Sequence, residues 1–247
     1  MRAMILAAGL GTRLRPLTDD RPKALVEVAG HTLLEITIRR LQQFGVREVI
    51  VNVHHFGDMV VEYLKKNGNF GMRIEISRED VLLDTGGGLK KAAWFFLEGH
   101  SAEPFLLHNV DVLSPIDFRR MVEFHQQNQA LATLAVQQRE TSRYLLFDEQ
   151  GRLCGRRAGR DHAPEIVRAS QEMRALAFSG VHVISPQFFA KMTEDGVFSI
   201  ITSYMRLASD GEKVVAFRAD ESYWRDLGKP ENLTQATLDV EQQVLHL

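Results

Sequence analysis

The chain has 247 residues, 45% of them hydrophobic and 25% charged, which suits one globular unit with a sizeable core. Thirty Lys and Arg against 32 Asp and Glu leave a net charge of −2, which excludes the broad basic field that gathers nucleic acid or an anionic membrane; any anion site must be local. A single cysteine, Cys154, excludes an intramolecular disulfide, and no stretch approaches the ~18 apolar residues of a spanning helix.

Taken in chain order, "AMILAA" (3–8) is an apolar run of strand length, continuous as in a strand covered on both faces. It breaks into "GLGTRLRPLTDDRPK", after which "TLLEITIRRLQQFG" carries apolar residues at helical spacing and ends on Gly45. "EVIVNV" is the next strand, "GDMVVEYLKKNG" a second helix, "MRIEISRE" a strand, and "GGGLKKAAWFFLEG" a helix beginning on glycines. "PFLLHNVDVL", "IDFRRMVEFHQQNQ" and "LATLAVQQ" continue as strand, helix and strand. This alternation predicts right-handed βαβ units, a mostly parallel sheet, and a ligand beyond the carboxyl ends of its strands. The loops "GLGTRLRPLTDDRPK", "SREDVLLDTGGG" and "NVDV" should therefore share one crevice.

The second half is less regular. "YLLFDEQGRLCG" predicts a hairpin, "GRRAGRDHAPEIVRASQEM" an irregular charged loop, and "RALAFSGVHVIS" a strand. Two short helices follow in "PQFFAKMTEDG" and "SIITSYMRLASDG", then "KVVAFRA" and "SYWRDLG" as paired strands, and a final helix in "KPENLTQATLDVEQQVL". The apolar run at the N-terminus is short and lacks a cleavage-type segment, so a cytoplasmic protein is expected.

In the first loop, Gly9 and Gly11 let backbone approach a ligand closely, and consecutive N–H groups there make an anion-binding concavity. Arg13, Arg15, Arg21 and Lys23 add positive charge, while Pro16 and Pro22 stiffen the frame. Polyphosphate suits such a loop, yet it is neither GxGxxG nor Walker A, because Leu14 occupies the third glycine position and no GK[ST] follows. Asp111, where a buried strand runs out, and Asp226, after Trp224, each read alone more readily as a cap or turn aspartate than as a metal ligand. Glu79 is either a solvated strand-end residue or an acceptor for a base edge. His54 and His55 lack a third ligand at metal spacing and read as loop packing. Cys154 reads as a small apolar filler.

"LAAGLGTRLRPLT" followed by "RPKALVEVAG" resembles the signature of the sugar-1-phosphate nucleotidylyltransferases. "DTGGGL", "NVDV", "FSGVHVISPQFF" and "WRDLGKPENL" extend the resemblance over nearly the whole chain. It implies an α/β fold: a single Rossmann-like nucleotidyltransferase domain over 1–247, with a mostly parallel central sheet flanked by helices and a small β-rich sugar-binding part. Residues 1–138 would be the nucleotide-binding half and 139–247 the half that binds sugar and completes the metal site.

The implied reaction moves a nucleoside monophosphate from an NTP to a sugar 1-phosphate with Mg²⁺. The compact members point to UTP with N-acetylmuramate 1-phosphate, or GTP with a mannose or heptose 1-phosphate. By the same resemblance Arg13, Lys23, Asp111 and Asp226 are catalytic, and Asp111 and Asp226 hold the metal. Ala7, Ala8, Gly9, Gly11, Thr12, Glu79, Gly86 and Gly87 contact the nucleotide, the last two as a turn against the base. Asn109, Ser179 and Gly180 contact the sugar; Glu165 and Arg168 lie in the irregular loop, to which the resemblance does not extend. The family usually has glycine before the first aspartate; Val110 stands there instead and resists positive φ. The partners expected are the two substrates, with no nucleic acid or membrane, in a monomer or small homo-oligomer. A cytidylyltransferase for a phosphorylated alcohol, or a non-catalytic NDP-sugar-binding regulatory protein, are the alternatives. No hexapeptide repeat follows Asp226, so a single-function enzyme is expected.

Overall fold

The computed structural model of the chain describes residues 1–100, 102–159 and 161–245. Strand β1 (Arg2–Leu6) leads, through the glycine–arginine loop, to a small ribbon of β2 (Glu27–Val28) and β3 (His31–Thr32). Helix α1 (Leu33–Gln43) starts where the Thr32 side chain accepts from Glu35 N at 3.1 Å, and the chain turns out of it at Gly45, φ +79°. Then come β4 (Glu48–Val53), α2 (Gly57–Lys66), β5 (Arg73–Arg78), α3 (Asp84–Lys91), α4 (Ala93–Leu97) and β6 (Phe105–Asn109). A two-residue β7 (Val112–Leu113) precedes α5 (Phe118–Gln127), β8 (Ala132–Gln137), β9 (Arg143–Phe147), β10 (Leu153–Ala158) and β11 (Glu165–Ile166). The chain continues through β12 (Arg174–Ile184), α6 (Gln187–Ala190), α7 (Ile200–Ser209), β13 (Val214–Arg218), β14 (Arg225–Asp226) and α8 (Pro230–Glu241).

One sheet runs β11–β10–β9–β12–β6–β1–β4–β5, with β8 against β12 and β13 against β8. The stretch β6–β1–β4–β5 is wholly parallel, as the strand–helix alternation predicts. Antiparallel pairing enters through β12, which lies between β6 and β8 and also carries β9. Side-chain alternation sorts the core onto two faces. Ala3 and Ile5 pack under Leu34, Ile38, Leu41 and Val60, whereas Met4 packs with Leu89, Phe95, Phe96 and Tyr204.

Three expectations change. The glycines of "DTGGG" lie inside α3, as the reading of a helix beginning on glycines has it, and not in the turn that the resemblance implies. "GRRAG" continues the hairpin strand β10, and "EI" adds β11 beside it, so part of the irregular loop is sheet edge; Arg160 of that loop lies outside the described residues. Finally, the "KVVAFRA" and "SYWRDLG" strands do not pair. β13 joins β8 in parallel, while β14 pairs with β7, Asp226 opposite Val112. That pairing assembles the site.

Candidate active site

Strands β1, β4 and β6 end level, Leu6 standing opposite both Asn52 and Asn109. Beyond them opens a cavity of about 380 Å³, the size of a small-ligand site. Ala7, Ala8, Gly9, Lys23, Asn52, Glu79, Asn109 and Asp111 all line it.

The loop after β1 is held in shape by its own groups. Gly11 adopts φ +65°, and its carbonyl accepts Leu14 N at 2.8 Å and Thr18 Oγ1 at 2.9 Å. A Cβ there would lie 2.9 Å from Thr18 and 3.1 Å from the Cβ of Lys23, so conformation and space both demand glycine. Gly9 faces open space, Thr12 is exposed, and Arg13 projects from a short 3₁₀ turn at Thr12–Leu14. Arg15 and Arg21 are exposed and paired with Asp19 and Asp20, so their charge is largely cancelled locally.

Two cation–carboxylate pairs stand at this end of the strands, Lys23 and Asp111 in the cavity lining and Arg13 and Asp226 outside it. Lys23 is 92% buried in effect, being 8% exposed, and its Nζ bonds directly to Asp111 Oδ2. Arg13 Nη1 lies 3.9 Å from Asp226 Oδ2 in a more open pair. The ribbon between β7 and β14 ties the two carboxylates together, since Leu227 N donates to Asp111 O at 2.8 Å. Val110 keeps an ordinary negative-φ backbone, buries its side chain, and donates to Leu6 O at 3.1 Å, so the aspartate is carried without glycine before it. Gly228, which sequence reasoning missed, donates to Asp226 Oδ1 at 2.7 Å, and Asn232 Nδ2 donates to Asp226 O at 2.7 Å. Two hard oxygen donors plus substrate phosphates make the donor set that Mg²⁺ takes, and among the described residues no group of three or more acids, His or Cys offers a dedicated metal cage.

The opposite wall is a relay of side chains. Ala7 N donates to Asn52 Oδ1 at 2.7 Å, and Asn52 Nδ2 donates to Glu79 Oε1 at 2.7 Å. Glu79 Oε2 accepts Leu83 N at 2.9 Å. Glu79 is thus a buried, oriented carboxylate rather than a solvated strand end. Asn52 could have been found in the sequence only by knowing that "EVIVNV" ends level with β1. Gly88 permits the relay, because a Cβ there would meet Glu79 Oε1 at 2.7 Å and Asn52 Nδ2 at 2.9 Å. His54 Nδ1 lies 2.8 Å from Glu79 O and His55 packs on Phe56, so both serve the loop, as expected.

Gly86 and Gly87 do not face the cavity. Their N–H groups donate to Phe198 O at 2.9 and 3.2 Å, and Cβ atoms would strike Phe198 at 2.3 Å and Gly196 O at 2.4 Å. The expected base contact at these two glycines is therefore replaced by close packing of α3 on residues 196–198. On the remaining side, Asn109 lines the cavity with its Oδ1 unpartnered, while Gly180 (φ +74°) and Ser179 stand behind it. A Cβ on Gly180 would sit 2.6 Å from Val112 and 3.1 Å from Asn109 Nδ2, so this glycine supports Asn109 from the rear. Glu165 and Arg168 are committed elsewhere, to Arg156 at 2.6 Å and to the buried Asp148. His108 points away from the cavity, fully buried, and burial pushes its pKa down to about 4.

Residues 2–154 match the family described as Nucleotidyl transferase. An N-acetylmuramate alpha-1-phosphate uridylyltransferase of Caulobacter vibrioides is 37% identical over 240 residues, covering 93% of this chain and 92% of that protein. A mannose-1-phosphate guanylyltransferase of Mycobacterium tuberculosis is 27% identical over 252 residues, and the chain spans 64% of its length. In fold, the chain is similar to HddC from Yersinia pseudotuberculosis, solved with GMP-PN, at a TM-score of 0.76 and 22% identity over 97% of this chain and 99% of that one. It is also similar to a UDP-glucose pyrophosphorylase solved with UDP-glucose, at a TM-score of 0.78 and 17% identity, covering 98% of each chain.

Proposed function

The chain belongs to the nucleotidyl transferase family, and from that premise we propose that it moves a nucleoside monophosphate from an NTP to a sugar 1-phosphate and releases pyrophosphate. A sugar phosphate oxygen attacks the α-phosphorus in line; the new O–P bond forms as the α–β anhydride bond breaks, and pyrophosphate leaves with the electron pair. Both substrates are anions, so the protein's work is to cancel charge and align them. The observation that carries this is the meeting of Lys23–Asp111 and Arg13–Asp226 at one end of the parallel strands, beside the cavity-lining backbone of Ala8 and Gly9.

In this reading the N–H groups of residues 8–12 and Arg13 take the triphosphate. Lys23 exchanges its carboxylate partner for phosphate oxygens of the two substrates. Asp111 and Asp226 would hold Mg²⁺, which would supply neutralisation of phosphate charge. Glu79, oriented by Asn52, accepts from the imide N–H of uracil or the N1–H and amino group of guanine. Asn109 reaches the sugar side, supported by Gly180 and Ser179.

In this reading residues 1–138 bind the nucleotide and carry Asp111, and 139–247 bind the sugar and complete the metal site with Asp226. The 37% identity over nearly all of both chains favours UTP and N-acetylmuramate 1-phosphate, in cell-wall metabolism; GTP with a mannose or heptose 1-phosphate is the second pair. Among the described residues no helix is long and apolar enough to cross a membrane. The test is pyrophosphate release with Mg²⁺ over four NTPs and a panel of sugar 1-phosphates. One bright pair names the substrates; a dark grid from protein that binds NDP-sugar turns the reading to a regulatory role.

A further inference from the structure

Beyond the four charged residues of the proposed reaction, one more cation waits at the same edge. Strand β8 is antiparallel to β12, and β12 to β6, so β8 runs with β6 and β1 and the chain after Gln137 emerges on the crevice side. Arg139 is there. Its guanidinium carbon lies 3.4 Å from the centroid of the Trp224 ring, and one Nη donates to Phe178 O at 2.7 Å. Trp224 is itself fixed, its Nε1 donating to Ser179 O at 2.9 Å, and it stands two residues before Asp226.

A planar cation clamped on two sides still has donors to give. Arg139 Nε is buried without a partner, and among the described residues no carboxylate lies within ion-pair distance of the guanidinium. Asp226 is the acid that acts on it from further away, opposing the burial that disfavours its charge. Nearby, Ser179 Oγ and Asn109 Oδ1 are also buried and unpartnered. A half-buried charge that costs free energy to desolvate, with unused donors beside other unused polar atoms, fits a built site for an absent anion rather than a surface residue.

We propose that Arg139, stacked on Trp224, binds an anionic oxygen of the acceptor substrate and so helps set acceptor specificity. The proposal rests on the nucleotidyl-transfer reading for its substrate class. That anionic group is either the sugar's phosphate or a carboxylate borne by the sugar; a guanidinium holds both in the same way.

The experiment uses Trp94→Phe protein, in which Trp224 is the one remaining indole of the two in the chain. Its emission is followed while inorganic phosphate, neutral sugar 1-phosphates and carboxylate-bearing sugar phosphates are titrated without nucleotide. The same titrations are made with Arg139→Lys and Arg139→Gln added, each checked by thermal melt, and acceptor and NTP KM values are measured for the active substrate pair. A saturable response is expected, with half-saturation and acceptor KM raised about tenfold or more by Arg139→Gln, less by Arg139→Lys, and NTP KM within about twofold. A response shared by phosphate and neutral sugars identifies the phosphate; one confined to acidic sugars identifies the carboxylate. Unchanged acceptor binding in a folded variant, or no Trp224 response to any of these anions, overturns the proposal. If Arg139→Gln does not fold, Arg139→Lys decides alone. Absence of turnover for every substrate pair would fail the transfer reading instead, and the emission titration would still decide Arg139.

Discussion

Gly228 lies so close to Arg13 that a Cβ on the glycine would sit 2.6 Å from Arg13 Nη2 and 2.7 Å from Asp226 Oδ1. One backbone position thus holds the Asp226 carboxylate through its N–H and leaves room for the guanidinium beside it. Gly228→Ala should displace the end of a flexible, exposed side chain, which costs little stability, while moving a charge out of line. We expect turnover to fall about tenfold to a hundredfold, on the scale of a misplaced electrostatic contact, with a near-native melting temperature. Unaltered pyrophosphate release would remove Arg13 from the proposed roles.

Asp111 and Asp226 should be equivalent in catalysis and unequal in stability. Replacing either by Ala is expected to lower turnover at least about a hundredfold. Loss of Asp111 also strands the buried Lys23 amine, at a cost of about 1–3 kcal/mol after allowance for its partly exposed partner. Loss of Asp226 unpairs the exposed Arg13 and frees the Gly228 N–H, and the ion-pair part of that cost is under about 1 kcal/mol. Urea denaturation of the two variants distinguishes the cases; equal losses would mean that burial does not govern the Lys23 pair.

Gly86→Ala distinguishes packing from base contact. Its Cβ would lie 2.3 Å from a Phe198 ring carbon and 2.9 Å from Phe198 O, so the helix must shift. Destabilisation of about 1–3 kcal/mol is expected, despite alanine's better helix propensity. A variant of native stability with a raised NTP KM would restore the glycine as a base contact.

Glu79→Gln keeps size and burial but removes the charged acceptor. The variant should raise KM for the preferred NTP about tenfold, the value of a hydrogen bond to a charged group, with acceptor KM unchanged. Equal KM values for all four NTPs before and after the change would place base selection elsewhere.

Three buried histidines set the acid side of stability. Burial pushes the pKa of His108 and of His125 down to about 4, and that of His182 to about 3. The unfolded chain, titrating near the ordinary histidine value of about 6.5, binds more protons than the native state below that pH. Stability should therefore be full above about pH 6.5 and decline as pH falls toward 4, by up to about 1.4 kcal/mol per pH unit for each histidine. Melting temperature between pH 4.5 and 8 reads this directly. His182→Gln, which keeps a polar group near the Tyr204 hydroxyl now 2.7 Å from His182 Nδ1, should flatten the slope. An unchanged slope would show that other groups set it.

By itself the sequence determined the parallel half of the sheet, the loop after β1, and the identity of Lys23 and Asp111 as neighbours of one crevice. Those features rest on local physics: continuous apolar runs make buried strands, and glycine with proline shapes a loop that nothing distant must complete. Strand pairing between distant segments was decided only by the tertiary structure. A two-residue strand such as β14 has no periodicity to read, and "SYWRDLG" looked like the mate of "KVVAFRA" until its backbone was found against Val112 and Leu113. Likewise, the helix beginning on glycines was legible, but the resemblance also made those glycines a bare turn against a base. In the fold, Phe198, the Gly196 carbonyl, Glu79 and Asn52 fill the space that side chains would need, so close packing overrides local preference. Asn52, Arg139 and the Asp226–Gly228 stretch come to this end of the sheet from three separate segments, and only the way those segments pack could bring them to one place.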